Sequence, residues 1–156
     1  MTATLRPARS TDAGATGEIL YRFQAETDWM PKLHSGAETI AFCGALISRG
    51  WVTVAEIDGQ VIGFLARDAE EICALYLAPE ATGQGVGKAL LEQAKGQSDR
   101  LFLATFEANT GARRFYEREG FREAGRDDGT NNDEGLPDIA YLWRRDGGQQ
   151  DEGKTG

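Results

Sequence analysis

Hydrophobic positions change their period several times along the chain, and this pattern predicts an alternation of strands and helices. Ile19, Leu20 and Phe23 recur at helical spacing behind a cap at Thr11 or Asp12. In chain order, we predict a strand over 3–7, helices through 19–23 and over 38–49, strands over 51–57, 60–67 and 71–78, a helix through 89–94, a strand over 101–106, a helix over 109–119, and strands over 121–126 and 137–143. This order is typical of a mixed α/β fold with a strand–turn–helix unit at its centre.

Two turns punctuate this pattern. Asp58-Gly59 separates two apolar runs and predicts a two-residue hairpin. The next run, over residues 71–78, is nearly all apolar and ends at Pro79, so we expect a central strand buried on both faces. A glycine-rich turn over residues 83–87 then leads into the following helix.

Length and composition favour one soluble domain. The chain has 156 residues, of which 40% are hydrophobic and 27% are charged, and a length of about 100–200 residues is usual for one domain. We expect this domain over residues 1–145. Residues 146–156 consist mostly of glycine, glutamine and charged side chains, so we expect them to form a disordered tail.

Charge, cysteine and histidine content narrow the partners and the compartment. The net charge of -8 argues against nucleic acid and anionic membranes as partners. Cys43 and Cys73 lie in separate apolar stretches, and two buried thiols are a simpler interpretation than one disulfide. With His34 as the single histidine, we expect no metal site. The chain shows no apolar leader and no segment of membrane-spanning length, so we expect a cytoplasmic protein.

The central turn has the features of an anion-binding site. Gly83, Gly85 and Gly87 follow an apolar strand and precede an amphipathic helix with Lys88 in its first turn. Glycines let backbone amides approach a ligand closely, and amides at a helix start favour a phosphate. The spacing matches neither a P-loop nor a dinucleotide fingerprint. We therefore expect a phosphate-bearing ligand of another kind, with a plain solvated turn as the alternative.

This segment resembles the acetyl-CoA motif of the GNAT acetyltransferases, Gln/Arg-x-x-Gly-x-Gly/Ala. It aligns from Thr82 to Gly87, with Thr82 in place of the usual Gln or Arg. The resemblance implies a GNAT fold, which is a mixed, mostly antiparallel sheet of six or seven strands with about four helices. It also implies acetyl-CoA as co-substrate. The implied coenzyme-binding residues are Leu75, Tyr76, Leu77, Thr82, Gly83, Gln84, Gly85, Val86, Gly87, Lys88, Ala89, Asn109 and Tyr116.

A second segment, beginning at Asn109, resembles the family's later motif Asn-x-x-Ala-x-x-Phe-Tyr, which ends in Gly-Phe. Asn109 is a good helix cap, and the resemblance adds a contact with the pantetheine arm. Tyr116 would lie near the thioester sulfur and protonate the leaving thiolate. A positioned general acid of this kind is worth about 10²–10⁴ in rate. The alternative for Tyr116 is a half-buried aromatic residue without a chemical role.

The implied reaction is direct attack of a neutral amine on the thioester, so a base must remove a proton from the ammonium form. Glu71 is the first candidate, because it has the same offset from the motif as the catalytic glutamate of the family's histone-acetyltransferase branch. Glu107 is the second candidate, and a water chain is the third. By the same resemblance, backbone amides around Leu77 would stabilise the oxyanion at the thioester carbon.

The implied function is N-acetylation of a primary amine on a small molecule or a protein. The alternative is an acyl-CoA-binding regulatory or sensor domain without turnover. The resemblance would form the acceptor site from the first two helices, their connection and the acidic loop over residues 127–135, and it also allows a homodimer. Trp29, His34 and Trp51 could line this site, although we expect core packing for the tryptophans and a surface role for the histidine. The acidic loop could attract a cationic amine or be a solvated hairpin.

Overall fold

The computed structural model describes residues 2–146. The tail predicted over residues 146–156 therefore lies outside the described residues, except for its first position. The elements are β1 (Thr4–Pro7), α1 (Ala13–Glu26), α2 (Gly36–Ser48), β2 (Val52–Ile57), β3 (Gln60–Asp68), β4 (Glu71–Leu77), α3 (Val86–Lys95), β5 (Arg100–Phe106), α4 (Thr110–Arg118), β6 (Arg122–Asp127) and β7 (Asp138–Arg144). The predicted order is confirmed, and most boundaries agree within two residues.

The chain divides into two compact units. The first comprises residues 2–68 and 72–92, and the second comprises residues 69–71 and 93–146 of the described chain. The single domain expected over residues 1–145 stays a prediction. Within the first unit, β1, β2, β3 and β4 are neighbours in that order, and the β1–β2 and β2–β3 pairs are antiparallel.

The hairpin between β2 and β3 has the predicted turn. Asp58 and Gly59 both have positive φ, at 53° and 78°, as a type I′ turn requires. Helices α1 and α2 bury Ile19, Leu46 and Ile47 in one cluster with side chains of β2 and β3.

Helix α2 begins two residues earlier than predicted because of a capping box. The Ser35 hydroxyl accepts a hydrogen bond from the Glu38 amide at 3.1 Å, and the Glu38 carboxylate accepts one from the Ser35 amide at 2.8 Å. Each side chain thus satisfies a backbone donor that the helix start leaves without a partner. The signal Ser-x-x-Glu is present in the sequence, but the predicted helix start at residue 38 did not take it into account.

Strand β4 corrects two predictions. Glu71 and Cys73 are exposed, whereas Ile72 and Ala74 are buried. The first half of the strand therefore alternates, and the prediction of burial on both faces is wrong there. The prediction of two buried thiols is likewise wrong for Cys73, although Cys43 is buried and neither cysteine forms a disulfide. Because Cys and Leu both count as apolar, the sequence concealed the period of two.

The second unit contains a three-stranded antiparallel sheet in the order β5, β7, β6. Leu101, Leu103, Ile139 and Tyr141 point to one face, where each is at most 4% exposed. Glu71, the first residue of β4, pairs with Phe102 of β5 in parallel orientation within this unit. The seven strands thus include both parallel and antiparallel pairs, as a mixed α/β fold requires.

The close approach of α1 and α2 at Gly17 gives a test of the first unit. A Cβ atom at Gly17 would lie 2.6 Å from Ile40 Cγ1 and 2.7 Å from Ile40 Cα. We expect Gly17→Ala to lower the free energy of unfolding by about 1–3 kcal/mol, because the helix backbones must move apart. Urea denaturation followed by circular dichroism measures this change.

Gly44→Ala is the matched control, because a Cβ there would meet only Ala13 Cβ at 3.7 Å. Alanine favours a helix over glycine by about 0.5–1 kcal/mol, so this variant should be as stable as the parent or more stable. Equal destabilisation by both substitutions would contradict the described helix contact.

Candidate active site

The turn between β4 and α3 has a backbone conformation that glycine favours. Gly83 and Gly85 have φ values of 79° and 82°, in the left-handed region that other residues rarely adopt. Helix α3 begins immediately afterwards, at Val86. The turn is therefore shorter than predicted, and Gly87 belongs to the first turn of the helix.

The start of α3 presents amides that the helix itself does not use. The first bond of the helix runs from the Ala89 amide to the Gly85 carbonyl at 3.0 Å. The amides of Val86 and Gly87 lie at the very start of the helix, where N–H groups have no helical carbonyl four residues back. The helix dipole adds partial positive charge at the same end, and the Lys88 side chain is exposed there. This arrangement suits a phosphate group.

Two polar side chains hold the turn in shape. The Thr82 hydroxyl donates to the Pro79 carbonyl at 2.9 Å, and the Gln84 side-chain amide donates to the Glu80 carbonyl at 2.9 Å. Thr82 stands where the family motif has Gln or Arg, and its hydroxyl is used locally. Backbone amides, rather than these side chains, are therefore the donors available to an anion.

The end of β4 leads into this turn. Leu75, Tyr76 and Leu77 are each half-buried, as is Ala89 on α3. The Tyr76 ring lies 5.1 Å from Phe23 and 6.0 Å from the ring of Phe64, between ring centroids. Its side chain thus belongs to the aromatic packing of the first unit.

Helix α4, in the second unit, is capped as predicted. The Asn109 side-chain oxygen accepts a hydrogen bond from the Ala112 amide at 3.1 Å. Tyr116 is 7% exposed. Its ring makes edge contacts with Phe115 at 5.1 Å and with Phe121 at 5.5 Å. The Tyr116 ring is thereby fixed by aromatic neighbours, which is the rigidity that a positioned acid needs.

A buried tyrosine beside Tyr116 was not anticipated. Tyr141 is fully buried, its ring centroid lies 6.3 Å from that of Tyr116, and its hydroxyl donates to the Glu117 carboxylate at 2.8 Å. Burial raises the pKa of the Tyr141 phenol. The phenol therefore stays protonated and keeps its bond to Glu117. The only signal in the sequence was the alternation of β7, which places the Tyr141 side chain on the face that packs against α4.

The two candidate bases differ in their surroundings. Glu71 is exposed at the start of β4, and its pairing with Phe102 puts both side chains on the same face of the sheet. The Glu107 carboxylate is instead 2.7 Å from the Arg126 guanidinium. That carboxylate is therefore held in an ion pair.

The Glu71 and Tyr116 side chains lie on opposite faces of the second unit's sheet. Phe102, which shares the Glu71 face, alternates with Leu103, and Leu103 shares the opposite face with Tyr141. Tyr116 contacts Tyr141 on that opposite face.

The acidic loop is built mainly from contacts within itself. An Asp127 carboxylate oxygen accepts from the Gly129 amide at 2.8 Å. Asp128 accepts from the Thr130 amide and hydroxyl at 3.1 and 2.9 Å, and these hydrogen bonds lower the pKa of Asp128. The loop is thus a structured turn in which Asp127 and Asp128 have local partners. This favours a solvated hairpin over a surface that attracts a cationic amine.

The other acceptor candidates are on or near the surface of the first unit. Trp29 is half-buried with its ring centroid 6.2 Å from that of Phe23, and the Arg49 guanidinium lies 5.0 Å from the ring centroid of Trp51. His34 is exposed. Lys32, which the sequence did not single out, donates to three backbone carbonyls and holds the connection between α1 and α2.

The site residues thus fall in both units. The segment from Leu75 to Ala89 is in the first unit, and Glu71, Glu107, Asn109 and Tyr116 are in the second. Across residues 2–146, no group of three or more His, Cys, Asp or Glu side chains is arranged to hold a metal ion. No helix in the same range combines the length and the apolarity needed to cross a bilayer.

Residues 48–123 match the family model described as an acetyltransferase (GNAT) domain. The chain is 38% identical to the peptidyl-lysine N-acetyltransferase YjaB of Salmonella typhimurium over 76 residues, 49% of this chain and 52% of that protein. This chain thus spans about half the length of curated relatives that it matches.

Solved structures extend the likeness across the described chain. The solution structure of apo-form YjaB from Escherichia coli superposes with a TM-score of 0.77 at 23% identity, covering 92% of this chain and 98% of that one. A phosphinothricin acetyltransferase from Sinorhizobium meliloti, solved in complex with AcCoA, gives a TM-score of 0.73 at 25% identity, covering 92% and 89%. The predicted fold class is confirmed. The chain thus has the GNAT fold, residues 48–123 match the GNAT acetyltransferase domain, and both motifs lie in the elements expected for them.

Proposed function

We propose that this protein transfers an acetyl group from acetyl-CoA to a primary amine of a small molecule or a protein. The observation that carries the proposal is the left-handed turn at Gly83 and Gly85, which leads directly into the first amides of α3. These donors fit a diphosphate, because they combine oriented N–H groups with the positive end of a helix dipole. One relative is named a peptidyl-lysine N-acetyltransferase, and one structural neighbour was solved in complex with AcCoA.

The coenzyme would be held by residues of both motifs. The amides of Val86 and Gly87 would bind its diphosphate, with the exposed Lys88 side chain adding positive charge. The backbone of Leu75–Leu77 would pair with the pantetheine arm as an added strand does. Asn109 uses its side-chain oxygen for the helix cap, so its NH₂ group is the part that could donate to this arm.

Tyr116 would supply the proton to the leaving thiolate, and Glu71 would receive the proton of the attacking amine. Three aromatic contacts support the role of Tyr116, because they fix its ring. Exposure supports Glu71 over Glu107, which is half-buried. The sensor alternative is not favoured, since the curated relatives are named as N-acetyltransferases.

The acceptor, the other partners and the location in the cell are proposals as well. The acceptor would be a small-molecule or peptide amine, with neither nucleic acid nor membrane as partner and with the cytoplasm as location. The negative net charge of -8 supports a cationic acceptor over a polyanion. The experiment that tests the function is thiol release from acetyl-CoA with a panel of polyamines, aminoglycosides, free amino acids and lysine peptides. Acetyl-CoA binding without turnover on any amine would favour the sensor alternative.

Tyr116→Phe tests the acid. The hydroxyl is removed while the aromatic contacts remain, so we expect kcat to fall by about 10²-fold or more with little change in acetyl-CoA affinity. Steady-state thiol-release kinetics measure both quantities. Tyr141→Phe is the matched control, because it deletes a buried hydroxyl bonded to Glu117 and leaves Tyr116 in place. Turnover that survives Tyr116→Phe would remove the acid assignment.

Glu71→Gln tests the base. An alkyl ammonium has a pKa near 10, so the need for a base is greatest at low pH and lessens as the free amine becomes available. We expect the variant to lose kcat/KM most strongly at the acidic end of the profile. Glu107→Gln is measured alongside and should keep the parent profile. An unchanged pH profile in Glu71→Gln would exclude Glu71 as the base. A changed profile in Glu107→Gln alone would assign the base to Glu107.

A further inference from the structure

A concave notch lies at one end of the sheet in the second unit. It has a volume of about 460 Å³ and is bounded by the C-terminal end of α4, the start of β6 and the end of β7. Its lining includes Trp143 and three arginines, Arg122, Arg144 and Arg145. We call this cavity the arginine notch. Its basic lining contrasts with the net charge of -8 of the chain.

Two of these arginines, Arg122 and Arg144, are diagonal neighbours on the sheet, and we call them the diagonal pair. Arg122 of β6 pairs with Leu142 of β7, and Arg144 follows Leu142 by two residues on the same face. Diagonal neighbours are about 7–8 Å apart, so both guanidinium groups can reach one point between them. Arg144 also pairs directly with Arg100 of β5. Like charges placed in this way destabilise a sheet unless a counter-charge offsets them.

The diagonal pair takes part in no salt bridge among residues 2–146. Its basic neighbours differ in this respect. The Arg100 guanidinium is 2.8 Å from the Glu70 carboxylate, and the Arg145 guanidinium is 3.0 Å from the Asp99 carboxylate. The cluster therefore carries two positive charges that an anion from solution can offset.

The end of α4 could oppose such an anion, because a helix C-terminus carries partial negative charge. The negative groups there already have donors. The Tyr116 carbonyl accepts from the Phe121 amide at 2.9 Å, and the Glu119 carbonyl accepts from Lys95 Nζ at 2.7 Å. The Glu117 carboxylate, which lines the notch, accepts from a buried tyrosine hydroxyl at 2.8 Å. These bonds reduce the negative potential that α4 presents to the notch.

Trp143 adds an apolar wall beside the arginines. Its side chain is half-buried, and its ring centroid is 5.4 Å from Lys95 Nζ and 6.0 Å from the Arg145 guanidinium. Gly120 has a φ of 96°, and a Cβ added there would lie 3.4 Å from Trp143 Cδ1. The notch therefore combines guanidinium groups for a charged group with an indole for the organic part of a ligand.

We propose that the arginine notch binds the phosphate group of a small phosphate monoester. A phosphate has three terminal oxygens, and a planar guanidinium donates two parallel hydrogen bonds, so both members of the diagonal pair can bind one phosphate. A monoester carries close to two negative charges at neutral pH, which matches the two positive charges of the pair. The organic part of the ester lies against Trp143.

This site is distinct from the residues to which we assign chemistry. Along β7, Arg144 is seven residues from Pro137, whose carbonyl accepts from the Glu107 amide just before α4. That separation is about 24 Å at about 3.4 Å per residue. Glu71 is on β4, which β5 separates from β7, and it does not line the notch. A ligand in the notch leaves Glu71 open, and the inference does not rest on the proposed function.

An NMR titration of the full chain with inorganic phosphate and with phenyl phosphate tests the proposal. The readout is the indole N–H signal of Trp143, assigned with Trp143→Phe, at constant ionic strength in potassium chloride. We expect saturable shifts with a Kd of about 1 mM for inorganic phosphate. Phenyl phosphate should bind several-fold more tightly, because its ring contacts the indole. The amide signals of Gly83 and Gly85 report separately on any phosphate at the coenzyme turn.

Substitutions of the diagonal pair give the decisive comparison. Arg122→Gln and Arg144→Gln should each raise the Kd about fivefold or more, and the double variant should no longer saturate. Arg126→Gln is the matched control, because it removes the same charge from β6 about 14 Å away, where Arg126 is 2.9 Å from Glu123. It should change the Kd by less than about twofold, since salt screens charges beyond about 8 Å.

A Trp143 signal that does not move would overturn the proposal, as would an equal shift in potassium chloride alone. An unchanged Kd in the double variant would also overturn it, and so would an equal loss in Arg126→Gln. Equal affinity for phosphate and phenyl phosphate would contradict the assignment to an ester. The amide spectrum of each variant shows whether it is folded. If Arg144→Gln does not fold, Arg144→Lys replaces it, and full retention of affinity without the planar fork would contradict the proposal.

Discussion

The left-handed turn at Gly83 and Gly85 is the constraint on which the donor site depends. Both residues have φ near 80°, and a residue with a Cβ would be strained there. The turn ends β4 and starts α3 within a few residues, so the first amides of α3 are left without helical partners. Thr82 and Gln84 hold the turn through bonds to the preceding backbone. The proposed anion-binding feature is therefore made of backbone and does not depend on the side chain at Thr82, where the family motif has Gln or Arg.

The sheet of the second unit has two different faces. Its inner face buries Leu103, Ile139 and Tyr141 and supports Tyr116 on α4. Its other face carries Phe102, which is 42% exposed, next to Glu71. The alternation of strand residues thus places the proposed acid and the proposed base on opposite faces of this sheet.

The sequence predicted those features that are encoded within a few neighbouring residues. Asp58-Gly59 has the turn expected of it, Asn109 caps α4 through its side chain, and the glycines precede α3. Burial was harder to predict, because it depends on which elements cover a strand. Cys73 is apolar in type and exposed in place. The bond from Tyr141 to Glu117 joins residues 24 positions apart, so no local pattern could reveal it. Lys32 was missed because its partners are backbone carbonyls, which every sequence has.

Isothermal titration calorimetry with acetyl-CoA and with coenzyme A tests the central claim most directly. Amides arranged around a diphosphate should give saturable binding of both compounds, with one coenzyme per chain. Adenosine 3′,5′-bisphosphate, which lacks both the diphosphate and the pantetheine arm, should bind much more weakly. The account would be contradicted if neither acetyl-CoA nor coenzyme A showed binding, either as heat or in competition. It would also be contradicted if adenosine 3′,5′-bisphosphate bound with the same affinity as the coenzymes.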